Sequence, residues 1–313
     1  MSAELLSLVR QLEANITQVV LGKEDVVRLC VVALLAGEHL LLEDAPGVGK
    51  TLVGKALARS VSATFRRIQF TPDLLPADIT GSSVYNTHSQ EFVFSPGPIF
   101  ANIVLADEIN RTTPRTQSAL LEAMSESQVS VDGQTHPLPQ PFLVIATQNP
   151  LEFEGTYPLP ESQLDRFLLR ISVGYPDRAR QMQLLASHRE GEPVDRLEPV
   201  LAGPQIQELQ QAVRGVGVDE AIDGYLLDIV QATRDCPDLR VGASVRGGLA
   251  LYRASQALAL VQGRSYVVPD DVKRLAVPVL AHRVITRSYL HGDQRDAVEA
   301  LVRRLVDEIP VPG

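Results

Sequence analysis

Asp107 and Glu108 close the apolar run Ile103-Val104-Leu105-Ala106. Such a run reads as a buried parallel strand. Two adjacent carboxylates at its exit are costly unless they hold a cation or handle a proton. Upstream stands Ala45-Pro46-Gly47-Val48-Gly49-Lys50-Thr51, a glycine-rich turn ending in Lys-Thr. Gly47 and Gly49 let a loop wrap tightly, so that backbone N–H groups and the following helix N-terminus converge on phosphate. Lys50 would neutralise the β/γ-phosphates of a nucleotide and the Thr51 hydroxyl would ligate Mg²⁺. Asp107 then fits a second Mg²⁺ contact, and Glu108 the group that aims a water. One departure stands out: the phosphate-loop pattern begins with Gly, and this chain has Asp44 there.

Two further strand tips carry polar groups. Thr147-Gln148-Asn149-Pro150 follows the run Phe142–Ala146, and an amide at Asn149 could sense the γ-phosphate or hold the same water. Asp165-Arg166-Phe167 opens the last strand. Arg166 there is either a surface ion-pair residue or an arginine finger directed at a neighbouring subunit's nucleotide. Gln69, ending the strand Phe65–Gln69, could restrain Glu108 at rest. The six histidines show no HExxH or clustered ligand spacing, and each reads as structural or exposed rather than as a metal ligand.

These residues must be positioned by strands alternating with helices. Segments 4–20 and 24–36 have helical periodicity, Leu40–Glu43 is a strand, and a helix runs from Lys50 to about Ser60. Phe65–Gln69, Ile103–Ala106, Phe142–Thr147 and Phe167–Ser172 are further strands, which predicts a mostly parallel five-stranded sheet covered on both faces. Thr113 reads as an N-cap with Pro114 in the first helical position. Residues 126–142 read as a hairpin set into the sheet topology, with an Asp132-Gly133 turn. Residues 72–98, rich in Pro, Gly, Ser and Thr, read as an insertion or long loop. After Tyr175-Pro176 comes a linking helix near 177–189. Helical segments then follow near 204–214, 219–234, 243–262, 269–284 and 293–308, with Pro278 expected to kink or end one of them. The expected organisation is a nucleotide-binding α/β core over 1–176, a link over 177–203 and an all-helical domain over 204–313.

Composition narrows the classes. The net charge of −9, without a Lys/Arg run or basic tract interleaved with aromatics, argues against a mainly nucleic-acid role. Cys30 and Cys236 lie far apart and lack CxxC spacing, so a disulfide framework is not expected. Neither a signal peptide nor 18 uninterrupted apolar residues are apparent, and the expected location is cytoplasmic.

Taken in order, six stretches resemble the MoxR-type AAA+ ATPases over nearly the whole chain. They are Glu43–Thr51, Gln69–Pro76 (Gln-Phe-Thr-Pro-Asp-Leu-Leu-Pro), Gly97–Phe100, Leu105–Arg111 (Leu-Ala-Asp-Glu-Ile-Asn-Arg), Ala146–Pro150 and Gln163–Phe167. In that family Asp before Ala-Pro-Gly is a tolerated variant. The resemblance implies an AAA+ αβα core followed by a helical lid, with ATP and Mg²⁺ as ligands. It puts Walker A at Pro46, Gly47, Val48, Gly49, Lys50, Thr51 and Leu52, Walker B at Asp107–Glu108, sensor 1 at Asn149 and a trans-acting finger at Arg166. Gly242–Gly247 resembles the sensor 2 segment with Arg246 as its arginine, although many relatives have Pro where Val245 stands. The insertion near 78–95 and the hairpin before Asn149 resemble the helix-2-insert branch, in which Arg246 acts either in its own subunit or in a neighbour. Arg111 and Arg115 could also reach across an interface or form surface salt bridges.

The resemblance also implies a ring, expected to be a hexamer, that remodels or matures protein clients, commonly with von Willebrand factor A domain proteins. No direct nucleic-acid partner is expected. The rival readings are a nucleic-acid motor, a small-molecule phosphotransferase and a nucleotide-binding scaffold without turnover.

Overall fold

The computed structural model describes residues 3–45, 47–150, 155–187, 191–287 and 294–312. Pro46, read above as part of the phosphate loop, lies outside the described residues. Two helices, α1 (Ala3–Thr17) and α2 (Glu24–Ala36), precede β1 (His39–Glu43), α3 (Lys50–Ser60), β2 (Val61–Ser62) and β3 (Phe65–Gln69). The short α4 (Pro76–Thr80) leads into a hairpin of β4 (Gly81–Asn86) and β5 (Glu91–Pro96). Next come β6 (Ile103–Asp107), α5 (Pro114–Glu126), a second hairpin of β7 (Gln128–Val131) and β8 (Gln134–Pro137), then β9 (Leu143–Gln148). The core closes with α6 (Glu161–Leu164), β10 (Phe167–Ile171) and α7 (Arg178–Ser187). Beyond β11 (Leu201–Ala202) the chain is largely helical: α8 (Gly203–Arg214), α9 (Glu220–Asp235), α10 (Val245–Val261), α11 (Pro269–Leu280) and α12 (Gln294–Glu308). The small strands β12 (Leu239–Val241) and β13 (Ile285–Thr286) pair between them.

The main sheet has the order β10-β1-β9-β6-β3, and every pair in it is parallel. Alternate residues feed opposite faces, as the two-residue strand period requires. Leu40, Leu42, Leu105, Ile145 and Leu169 join one buried cluster, which continues through α1 and α2 into α10 and α11 of the lid. Leu41, Val104, Ala106, Val144 and Ala146 join a second cluster with Leu120, Leu121 and Met124 of α5. Burial on both faces is why these strands read as unbroken apolar runs. Register aligns Glu43 with Gln148 and Gln69 with Asp107, so the polar strand tips form one carboxyl-terminal edge. In open parallel sheets that edge is where ligands sit.

Three expectations need adjustment. Of the two readings of segment 72–98, the long loop gives way to a structured insertion of α4 and the β4–β5 hairpin, which pairs Val84 with Val93 and Tyr85 with Phe92. Those four side chains are 49–73% exposed, so neither face of the hairpin is buried and no apolar alternation betrays it. At its base Gly81 (φ 89°) and Gly97 approach so closely that a Cβ on either would strike backbone at 2.2 Å. The 126–142 hairpin forms with its Asp132-Gly133 turn at positive φ, but as a separate two-stranded sheet rather than within the main one. Thr113 does precede α5, yet its hydroxyl meets Thr116 Oγ1 at 3.3 Å instead of capping a backbone N–H. Pro278 lies within α11, which ends two residues later at Leu280.

Candidate active site

The phosphate loop joins β1 to α3 with Gly47 at φ 80° and Gly49 at φ 96°, the left-handed region that glycine enters without cost. Asp44, the departure from the loop pattern, has a structural explanation. Its carboxylate accepts from Ser172 Oγ (2.5 Å), Gly174 N (2.6 Å) and Ala45 N (2.8 Å), tying the loop to the end of β10. Burial pushes this carboxyl up, but those hydrogen bonds and the Lys50 charge bring it below the usual carboxylate range. Buried Lys50 donates to Asp44 O (2.5 Å) and Gln148 O (3.2 Å). Val48 is also buried, and Leu52 follows Thr51 in the first turn of α3.

Thr51 Oγ1 lies 3.5 Å from Asp107 Oδ2. Asp107 is buried, with Thr147 Oγ1 donating to its Oδ1 at 2.6 Å. Its Oδ2 accepts two N–H groups of Arg67, at 2.6 and 3.0 Å. Two hard oxygens this close form a donor set that suits Mg²⁺, and the Arg67 guanidinium now occupies the Asp107 oxygen that such a cation would take. Glu108 occupies left-handed backbone (φ 57°, ψ 50°), costly for a non-glycine residue at about 1–3 kcal/mol. That turn buries Asp107 and sends Glu108 outward. Thr147 Oγ1 accepts from the Glu108 N–H at 2.8 Å, so one threonine holds the Asp107 carboxylate and the Glu108 backbone. Gln69 Nε2 donates to Glu108 Oε2 at 2.9 Å, as anticipated for a resting restraint, and Arg111 pairs with the same oxygen at 3.3 Å. Arg67 also donates to Gln69 Oε1 at 2.8 Å. Asn149 is buried just beyond β9, and its carbonyl accepts from Asn110 Nδ2 at 3.2 Å.

Lys50, Thr51, Asp107, Glu108 and Asn149 thus share one edge of the sheet, whereas Arg166 and Arg246 do not join them. His39 pairs with Phe167, so Arg166 lies at the amino-terminal end of β10, while the phosphate loop leaves the far end of β1. Four strand steps separate the two ends, about 13 Å. Arg166 donates from Nη1 to Leu121 O (2.7 Å) and to Ser125 Oγ, at the last turns of α5. Arg246, exposed in the first turn of α10, lines the same 370 Å³ cavity together with Glu38, Asp165, Arg253 and Arg283. Both carboxylates there are taken: Glu38 by Arg253 (2.6 Å) and Asp165 by Arg283 (2.8 Å). Arg166 and Arg246 are left as the net positive charge of that cavity.

Sequence reasoning passed over Arg67, Thr147 as a bridge, and the Asp165–Arg283 pair. Arg67 was findable, since it stands two residues before Gln69 and therefore on the same strand face. Arg283 comes from the lid and carries no local signal. Arg295 of α12 likewise donates to Glu43 O at 2.7 Å, and Arg170 pairs with Glu43 at 3.2 Å, so the lid also touches the entry to the phosphate loop.

Comparison with known proteins agrees with this architecture. Residues 39–169 match the ATPase family associated with various cellular activities (AAA), and residues 231–304 match the AAA lid domain. The chain is 51% identical to the uncharacterized protein YeaC of Bacillus subtilis over 298 residues, covering 95% of this chain and 93% of that one. It is 41% identical to the chaperone MoxR1 of Mycobacterium tuberculosis, covering 95% of this chain and 81% of the relative. A crystal structure of a candidate ATPase from Cytophaga hutchinsonii superposes with a TM-score of 0.89 at 34% identity, covering 99% of this chain and 96% of the other. A nucleotide-binding αβα core, a helical lid and relatives of this similarity make the chain a member of the MoxR-type AAA+ ATPases.

Proposed function

We propose that this protein hydrolyses ATP with Mg²⁺ at the interfaces of a ring of its own copies, a hexamer, and uses the cycle to remodel or mature protein complexes. The observation that carries the reading is the separation of Lys50, Thr51, Asp107 and Glu108 from Arg166 and Arg246. Within one chain neither set completes the other; between chains stacked edge to edge, each supplies what its neighbour lacks. Pro46 and Gly47–Leu52 would hold the phosphates, Thr51 and Asp107 the Mg²⁺, which would spread charge over the phosphate oxygens when bound. Lys50 would exchange two backbone carbonyls for phosphate oxygens. Glu108 would leave Gln69 and Arg111 to orient the water, with Asn149 beside it. Arg166 and Arg246 of the neighbour would meet the charge that develops on the transferred group. Arg246 is therefore assigned a role in trans. MoxR1 bears the name chaperone, and a remodelling role with von Willebrand factor A domain partners in the cytoplasm extends that description to this chain.

The test mixes Arg166→Ala with Glu108→Gln subunits, each inactive alone. Recovery of ATP hydrolysis in co-assembled rings is expected, because some interfaces pair an intact glutamate with an intact arginine. Proven co-assembly with no recovery would overturn the shared site. Capture of client proteins by the ATP-loaded Glu108→Gln ring, which hydrolyses too slowly to let them go, addresses remodelling; a ring that retains no protein in the ATP state would count against it.

A further inference from the structure

Arg283 stands just past the end of α11, within the lid, and its side chain is 2% exposed. A guanidinium can be buried only where its N–H groups are met, and here all the partners but one lie on the segment that carries Arg166. Nε donates to Asp165 Oδ1 at 2.8 Å, Nη2 to Phe167 O at 2.5 Å and Asp165 O at 3.3 Å, and Nη1 to Leu168 O at 3.1 Å and to Val279 O. The adjacent His282 contributes Nε2 to the same Phe167 carbonyl at 3.0 Å. Backbone on either side of Arg166 is therefore gripped by the lid, while the Arg166 side chain rests on α5 of the core.

The stem of Arg283 also passes beside the residue that follows the other arginine of the cavity. Gly247 follows Arg246, and a Cβ built on it would lie 3.2 Å from Arg283 Cδ. The missing side chain makes room for the stem, so one buried residue touches both the Asp165–Phe167 turn and the first turn of α10. No other described residue lining the cavity reaches the backbone on both sides of Arg166 through side-chain hydrogen bonds.

We infer that Arg283 is a positioning residue that sets Arg166 and Arg246 at a fixed spacing for delivery to the neighbouring subunit. The inference rests on the interfacial reading above. It also gives the lid a mechanical role, since any lid rotation against the sheet must carry the Arg166 turn with it or break this grip. A merely structural Arg283 would hold the lid on the core and affect every step alike. A positioning Arg283 affects only what a subunit gives to its neighbour.

The experiment uses Arg283→Lys, which keeps the charge and loses the planar fork. Rings of this variant should bind a fluorescent ATP analogue within about twofold of wild type and hydrolyse ATP about 10²-fold more slowly, the usual cost of misplacing a reacting group by about 1 Å. Mixed with Glu108→Gln subunits, activity should return, because intact arginines reach sites with an intact Glu108. Mixed with Arg166→Ala subunits, none should return, because neither partner delivers a competent finger. Recovery in the second mixture, no recovery in the first despite co-assembly, or wild-type hydrolysis by the variant alone would each overturn the inference. Should Arg283→Lys not assemble, Gly247→Ala displaces the stem with the charge and fork intact, and the same two mixtures decide. The Arg166→Ala with Glu108→Gln mixture is the control: if it stays inactive, the interfacial reading itself has failed, and this inference falls with it.

Discussion

The two ends of the central sheet are built on opposite electrostatic plans. At the carboxyl-terminal edge both carboxylates proposed for catalysis have a cationic partner within the chain. Asp107 is held by Arg67, Glu108 by Gln69 and Arg111, and Lys50 by two carbonyls. At the amino-terminal edge both cavity carboxylates are consumed by Arg253 and Arg283, leaving Arg166 and Arg246 in excess. A site with its own counter-ions can wait without ligand; a cavity with surplus cations is suited to receive anionic charge from outside. The two half-sites proposed above would favour head-to-tail assembly, since a heterologous contact joins unlike surfaces and closes into a ring when the rotation permits.

Removing one charge from each edge separates what the two edges contribute. Arg166→Ala should lower ATP hydrolysis about 10³-fold, the low end for an arginine finger, with nucleotide affinity of the isolated subunit unchanged by equilibrium binding. Glu108→Gln should lower hydrolysis about 10²-fold or more with ATP still bound. Lys50→Ala should weaken binding itself. If Arg166→Ala instead cost the isolated subunit its nucleotide affinity, the two edges would not be separate half-sites.

The catalytic edge was far more legible in sequence than the arginine edge. Strands buried on both faces advertise themselves as apolar runs, so Ile103–Asp107 and Leu143–Gln148 placed Asp107 and Asn149 at one edge without further help. Glycines at positive φ beside Lys50-Thr51 are likewise a local signal. Arg166 was visible as a residue, but not its location, because the register of His39 against Phe167 is a long-range fact. Arg283 was invisible, since its partners lie 115 or more positions away, save for the carbonyl of Val279. The β4–β5 hairpin was hidden for another reason: exposed on both faces, it has no apolar period to read.

Arg67 allows a smaller test of the self-neutralised edge. It is 48% exposed, and its pairing with Asp107 competes with a divalent cation for the same oxygen. A pair this open is worth up to about 1 kcal/mol, or roughly fivefold in an equilibrium. Arg67→Ala should therefore shift the Mg²⁺ midpoint for fluorescent-nucleotide binding downward by up to about that factor. An upward shift would mean that Arg67 holds Asp107 in the geometry Mg²⁺ needs, rather than competing for it.

The mildest perturbation is acid, and it should separate the edges without mutation. Two histidines are buried at the arginine edge. His39 accepts from Val144 N–H at Nδ1 and contacts Met124 O through Nε2, each at 3.0 Å, so a second ring proton would face a donor. His282 is next to Arg283 and near Arg170. Burial holds both imidazoles below their ordinary value, with the two arginine charges adding to the effect at His282. Above about pH 6.5 neither the folded nor the unfolded imidazole carries a proton, and the stability each contributes is whole. As pH falls through 6.5, the unfolded chain takes up protons that the fold refuses, and stability declines by at most about 1.4 kcal/mol per pH unit per histidine. At the catalytic edge Asp44 is depressed instead, so its contribution persists until pH falls below the ordinary carboxylate value near 3.9. Amide exchange between pH 7 and 5 should therefore quicken first around His39, Phe167 and Arg283, while Asp44, Ser172 and Gly174 keep their protection. Uniform loss across both edges would show that acid stability is set by net charge rather than by these two buried rings.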